Sequence, residues 1–134
     1  MHHIEIEYKG NLRTEAVHLK SGETIITDAP VDNQGKGEAF SPTDLTAAAL
    51  GSCMLTIMGI TAKSRNLNFT GTHATIEKRM GTNPRRISEI IVHLHFPNNH
   101  TEAEQKLFRK SAHSCPVHHS LHPDMQITTQ FHFS

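Results

Sequence analysis

The chain has no tryptophan and one tyrosine, Tyr8, so it lacks the aromatic platforms on which bases or sugars stack. Neither sign of charge is in excess: 13 lysines and arginines balance 13 aspartates and glutamates. Nothing therefore steers it toward nucleic acid or an anionic membrane. Cysteine is scarce, with only Cys53 and Cys115, and the zinc patterns Cys-x-x-Cys and His-Glu-x-x-His do not occur. No basic segment followed by an apolar run opens the chain, which reads as having no secretory leader. The richest apolar stretch, Leu45 to Ile60, is broken by Thr46, Ser52, Cys53 and Thr56. It falls short of the roughly 20 residues that a membrane span needs. The expected setting is the cytoplasm, where a cysteine pair is more often redox-active than structural.

What the chain has in quantity is histidine, 12 in all. Its net charge is near zero at neutral pH and climbs under mild acid. There is no internal repeat or low-complexity segment. The 134 residues suit one domain, residues 1–134, small enough that pairing with a second copy would help to cover its core.

Apolar alternation predicts a strand through Ile4, Ile6 and Tyr8, a turn at Lys9-Gly10-Asn11, and strands over 12–19 and 24–27. Residues 28–40 carry Pro30, Gly35 and Gly37 and read as a long loop of the kind that borders functional sites. A helix then starts sharply: Ser41 suits the N-cap, Pro42 the first helical position, and Asp44 completes a Ser-x-x-Asp capping box. It should run to about Arg65, and its nearly all-round apolar surface predicts burial on most sides. Gly51 and Gly59 suggest close approach of another backbone. Residues 69–79 and 86–96 read as a strand pair around Gly81-Thr82-Asn83-Pro84, with Ile90, Val92, Leu94 and Phe96 facing the core and Ile91, His93 and His95 opposite. Thr101-x-x-Glu104 opens a second helix to about Ser114, Pro116 to Leu121 can add a short turn, and 125–133 closes as a strand. The order βββ-α-ββ-α-β, mostly antiparallel, makes the class α+β.

The chemical lead is the cysteine pair. Cys53 lies in the apolar helix, where a cysteine ordinarily serves as a small hydrophobe. Cys115 precedes Pro116, which pushes it out of helical geometry and into the cap of the next turn. A helix N-terminus there would favour thiolate.

Ser41-Pro42, Leu45, the alanines 47–49, Gly51 and Cys53 resemble the first cysteine motif of the OsmC/Ohr family, the osmotically inducible and organic-hydroperoxide-resistance proteins. Cys115-Pro116-Val117 is similar to the family's second motif, and the order of elements fits along essentially the whole chain. The resemblance implies an OsmC-like fold with a long central helix in an intertwined homodimer, and a stress-response thiol peroxidase acting on small organic hydroperoxides. On that basis Cys53 is the peroxidatic thiol and Cys115 the resolving one. The resulting disulfide would be reduced by an external dithiol, with no cofactor and no metal. The family's activating arginine corresponds to Arg13, in the Gly10-Asn11-Leu12-Arg13 hairpin. The glutamate that orients it, expected directly after Pro42, is replaced by Thr43, while Asp44 is assigned to the capping box.

A competing reading is a non-enzymatic dimer of the same fold that binds a small apolar ligand or senses redox state through the same thiols. A metal site could also be drawn from His93 and His95 or from His113, His118 and His119 around Cys115. Strand histidines facing solvent or a partner surface are the commoner case.

Overall fold

Alternating side chains and tight turns build the first strands of the computed structural model, which describes residues 1–134. The chain divides into two units, Met1–Thr46 and Ala47–Ser134. In the first, β1 (Ile4–Gly10), β2 (Arg13–His18) and β3 (Thr24–Asp28) form an antiparallel sheet in sequence order. The β1–β2 turn takes Gly10, Asn11 and Leu12 through positive φ of 90°, 53° and 62°, a region that glycine enters without strain and asparagine tolerates. Register places Ile4, Ile6 and Tyr8 opposite His18, Ala16 and Thr14, with Ile25 opposite Ala16. One face of this sheet is therefore apolar, and Ile4, Ile6, Tyr8 and Ile25 are 59%, 64%, 64% and 52% exposed. The following loop contains one 3-10 turn, Val31–Asn33.

Helix α1 (Pro42–Ser64) begins as its sequence predicts. The Asp44 N–H donates to Ser41 Oγ at 3.1 Å, and the Ser41 N–H donates to Asp44 Oδ2 at 3.0 Å. Thr43 turns its hydroxyl to Ser41 Oγ at 3.2 Å, so it too belongs to the cap.

In the second unit α1 departs from expectation. Only one flank is buried, through Ala47, Leu50, Gly51, Met54, Met58 and Ala62, the spacing of neighbours along a helical face. Ala49, Ser52, Thr56 and Ile60 are exposed, and Cys53, Leu55 and Ile57 are half-buried. Length and apolar composition alone would let this 23-residue helix cross a membrane, yet its buried flank belongs to the core. Leu50 and Met54, fully buried, each contribute about 1.5–3 kcal/mol of hydrophobic stabilisation. The glycines answer to side chains and not to a second backbone: a Cβ at Gly51 would collide with the tip of Ile76, and one at Gly59 would rest against the Phe69 ring.

The second sheet runs β4 (His73–Gly81), β5 (Arg86–Phe96), β6 (Gln126–Phe133), with β4 and β5 antiparallel. Helices α2 (Glu102–His113) and α3 (Pro116–Ser120) fill the connection that returns β6 parallel to β5, as parallel strands require. Ile90, Val92 and Leu94 are fully buried and Phe96 nearly so. A bulge opposite Arg79 and Met80 shifts the alternation, so that Ile87 joins the same inner row. The strand pair starts later than predicted. Thr70 N–H bonds Asn68 Oδ1 at 3.1 Å and Asn98 Nδ2 bonds the Thr70 carbonyl at 2.7 Å. These bonds fold the segment into a turn before His73, and Phe69 packs on Phe108 with centroids 5.5 Å apart. Helix α2 carries the predicted capping box between Thr101 and Glu104.

Candidate functional site

Both cysteines lie in the second unit and both are free thiols. Cys53 occupies the half-buried flank of α1, whereas Cys115 is fully buried. Cys53 packs against the core cluster that contains Cys115, close enough to act on the ionisation of its thiol. Pro116, at the first position of α3, holds Cys115 extended at φ −62° and ψ 126°. There the sulfur accepts the His118 N–H at 3.5 Å. The capping geometry is the predicted one, but its electrostatic consequence is not. Burial pushes the Cys115 thiol up and the hydrogen bond with Cys53 acts in the same direction, while the N–H groups of His118 and Val117 offset only part of this. Cys115 is thus a protonated thiol at neutral pH, because desolvation of the anion outweighs two backbone dipoles.

Arg13 lies in the first unit, at the start of β2. Its Nε donates to Asp28 Oδ1 at 2.7 Å and its Nη2 to Asp28 Oδ2 at 2.8 Å. Nη2 also reaches Glu38 Oε1 at 3.2 Å, and the Glu38 N–H donates to Asp28 Oδ2 at 3.1 Å. The Asp28 side chain is 1% exposed and that of Glu38 63%. This two-pronged bond holds the Asp28 carboxyl below the usual carboxylate range, against the cost of burial. Asp28 and Glu38 are residues that sequence reasoning missed. The carboxylate that orients the arginine is not at the start of α1: it comes from strand register, which sets Arg13 opposite Asp28, and from the loop that follows.

The histidines near Cys115 pack edge to face. The His118 ring lies 6.3 Å from His113 and 5.6 Å from His119, and burial, then its two histidine neighbours, lower its pKa. Nowhere in the chain do three or more His, Cys, Asp or Glu side chains gather as they would around a metal ion. His93 and His95 do share the outer face of the second sheet, where His73 and His132 join them.

Comparison with known proteins gives the fold and the family. The family model described as OsmC-like protein matches residues 35–130. The crystal structure of a protein from Psychrobacter arcticus 273-4, whose name links it to osmotic stress and detoxification, superposes with a TM-score of 0.96 at 49% identity, over 98% of this chain and 96% of that one. An organic hydroperoxide resistance protein OsmC from Legionella pneumophila shares the fold at TM-score 0.76 and 15% identity, with 98% of both chains covered. One from Elizabethkingia anophelis does so at 0.77 and 17%, over 100% of this chain and 98% of that one. No curated protein matches. With the family model covering most of its length and a near-superposable relative at 49% identity, the chain belongs to the OsmC-like protein family.

Proposed function

We propose that this protein is a thiol-dependent peroxidase that reduces organic hydroperoxides through Cys53 and Cys115. The observation that carries the reading is the pairing, at one core cluster, of a half-buried thiol with a fully buried one whose ionisation it affects. A substrate can meet Cys53 but not Cys115, which divides the roles. The Cys53 thiolate attacks the distal peroxide oxygen: an S–O bond forms, the O–O bond breaks, and the alkoxide leaves as alcohol after taking a proton. The sulfenic acid on Cys53 is then attacked by the Cys115 sulfur. An S–S bond forms, the hydroxyl leaves as water with the Cys115 proton, and an external dithiol reduces the disulfide. Burial suits Cys115 to this second step, since a protonated thiol does not compete for the peroxide.

Arg13 enters as the activating cation on the family resemblance, and its bidentate hold by Asp28 supplies the fixed orientation that such a guanidinium needs. A homodimer is part of the same reading, supported by the exposed apolar face of Ile4, Ile6, Tyr8 and Ile25 and by the exposed Ile60 of α1. The cysteine usage supports a cytoplasmic setting as part of the same reading.

The test is consumption of cumene hydroperoxide with a lipoyl or thioredoxin-type dithiol as reductant. Wild type should turn over, Cys53→Ser should be inert, and Cys115→Ser should complete one turnover and leave a dimedone-reactive sulfenic acid on Cys53. Turnover surviving in Cys53→Ser would reverse the roles. A folded wild type that consumes no peroxide with either reductant would favour the ligand-binding or redox-sensing alternative.

A further inference from the structure

The outer face of the second sheet carries four imidazoles that the thiol chemistry does not use. His73 on β4, His95 on β5 and His132 on β6 are register partners across three adjacent strands, and His93 lies on the same face, diagonal to His132. Ring centroids are 4.8 Å apart for His73 and His95, 4.9 Å for His95 and His132, and 5.1 Å for His93 and His132, with neighbouring planes within 20°. Nδ1 of His93 stands 2.9 Å from Nε2 of His132. We propose that His93 and His132 form a two-imidazole site for a divalent transition-metal ion with a right-angled coordination preference, of the copper(II) or nickel(II) class.

The donor set decides the class. Two imidazole nitrogens completed by water make a mixed nitrogen and oxygen set, which suits tetragonal copper(II) or nickel(II), whereas structural zinc takes four protein ligands. At present one ring donates N–H to the other. Binding needs both lone pairs turned toward a common point, a rotation about the soft terminal side-chain torsion. The bridging proton moves to the other nitrogen of its own ring through water, which frees one lone pair on each ring for the ion.

Three donors do not converge, so water completes the coordination and the site is an exchangeable one. This inference stands apart from the peroxidase reading and survives its failure.

The test is a titration of the full-length, reduced protein with NiCl2, followed by calorimetry and by long-range 1H–15N spectra of the histidine rings. Paramagnetic broadening should reach His93 and His132 first, with His95 next. His93→Gln and His132→Gln should each weaken the sheet site roughly tenfold or more, as loss of a metal-supporting residue does. His73→Gln, on the far side of His95, should leave affinity unchanged, and thermal melts will confirm that each variant is folded. Broadening confined to His2 and His3 or to the histidines near Cys115 would overturn the proposal, as would single variants that bind nickel like wild type.

Discussion

The capping box of α1 offers the sharpest separation of structure from chemistry, because Asp44 lies beside the position where the family carries its arginine-orienting carboxylate. Ser41 is 2% exposed, so water cannot replace its hydroxyl as acceptor for the Asp44 N–H. Ser41→Ala should therefore sit in the upper part of the range for lost caps, about 1–2 kcal/mol. Asp44→Ala removes the acceptor of the Ser41 N–H at 3.0 Å together with a negative charge in the first turn. One hydrogen bond plus the dipole interaction again gives about 1–2 kcal/mol. Asp44→Asn keeps an acceptor and loses only the charge, so it should cost about 0.3–1 kcal/mol. With unfolding entropy near 2.1 cal/mol/K per residue, a chain of 134 residues converts 1–2 kcal/mol into a fall in Tm of about 4–7 °C. The two bonds are reciprocal, so the double Ala variant should cost less than the sum of the singles.

The assay pairs thermal melts of these variants with the rate at which reduced protein consumes peroxide. On a helix of 3.6 residues per turn Asp44 and Cys53 point to roughly opposite sides, so peroxide rates should hold in every variant that remains folded. If Asp44→Ala kept its Tm yet lost its activity, or if Asp44→Asn cost as much stability as Asp44→Ala, the capping account would be wrong. In the first case Asp44 would be acting as the family's carboxylate.

Three further outcomes follow from the same geometry. Iodoacetamide should label Cys53 well before Cys115, since Cys115 is fully buried with its thiol pushed up; mass spectrometry of native protein showing equal labelling would contradict that burial. Arg13→Met should destabilise the fold more than Glu38→Gln, because it strands a carboxylate that is 1% exposed whereas Glu38 is largely in solvent. The Asp28 pKa is depressed in the folded state, so its stabilisation is present above the unfolded value near 3.9 and is lost as pH falls through the folded one. Urea titrations from pH 3 to 7 should show that acid loss in wild type and not in Arg13→Met. His95 is also depressed, so the unfolded chain takes up its proton first, and stability should fall as pH drops below about 6.5. His95→Gln should flatten that part of the profile, and an unchanged slope would show that the array is not responsible.

Local rules carried much of the fold. Ser41, Pro42 and Asp44 marked the start of α1, Thr101 and Glu104 that of α2, and Pro116 forced Cys115 into the cap of α3, because capping and proline geometry act over three or four residues. The inner row of β5 was legible from alternation alone. What failed required distant partners. The bulge that turns Ile87 inward depends on pairing with β4, and the turn at Phe69 depends on Asn98. Of the four-imidazole array, only His93 and His95 could be assigned to one face, since His73 and His132 arrive by register with other strands. The proximity of the two thiols was likewise invisible to spacing and came only from the family resemblance. The thiolate preference expected at Cys115 failed for another reason. A cap shows in sequence, but the depth of burial that outweighs it does not.

The arginine shows how a departure from a family motif can be offset elsewhere in the chain. Where the family carries its glutamate, Thr43 points its hydroxyl at Ser41 and offers no charge, so the motif alone leaves Arg13 unsupported. On the proposed reading of Arg13 as the activating cation, register supplies the substitute: it sets Arg13 opposite Asp28, whose carboxylate binds the guanidinium through both oxygens. Orientation fixed this way depends on β2 and β3 remaining paired, not on the first turn of a helix. The helix start is then free to be optimised as a cap, with Ser41, Thr43 and Asp44 all turned toward one another. The division also assigns separate tasks to the two acids. Asp28, buried and bound through both oxygens, fixes the plane of the guanidinium. Glu38, exposed at 3.2 Å, adds charge that solvent screens, so substituting Glu38 adjusts Arg13 while substituting Asp28 releases it.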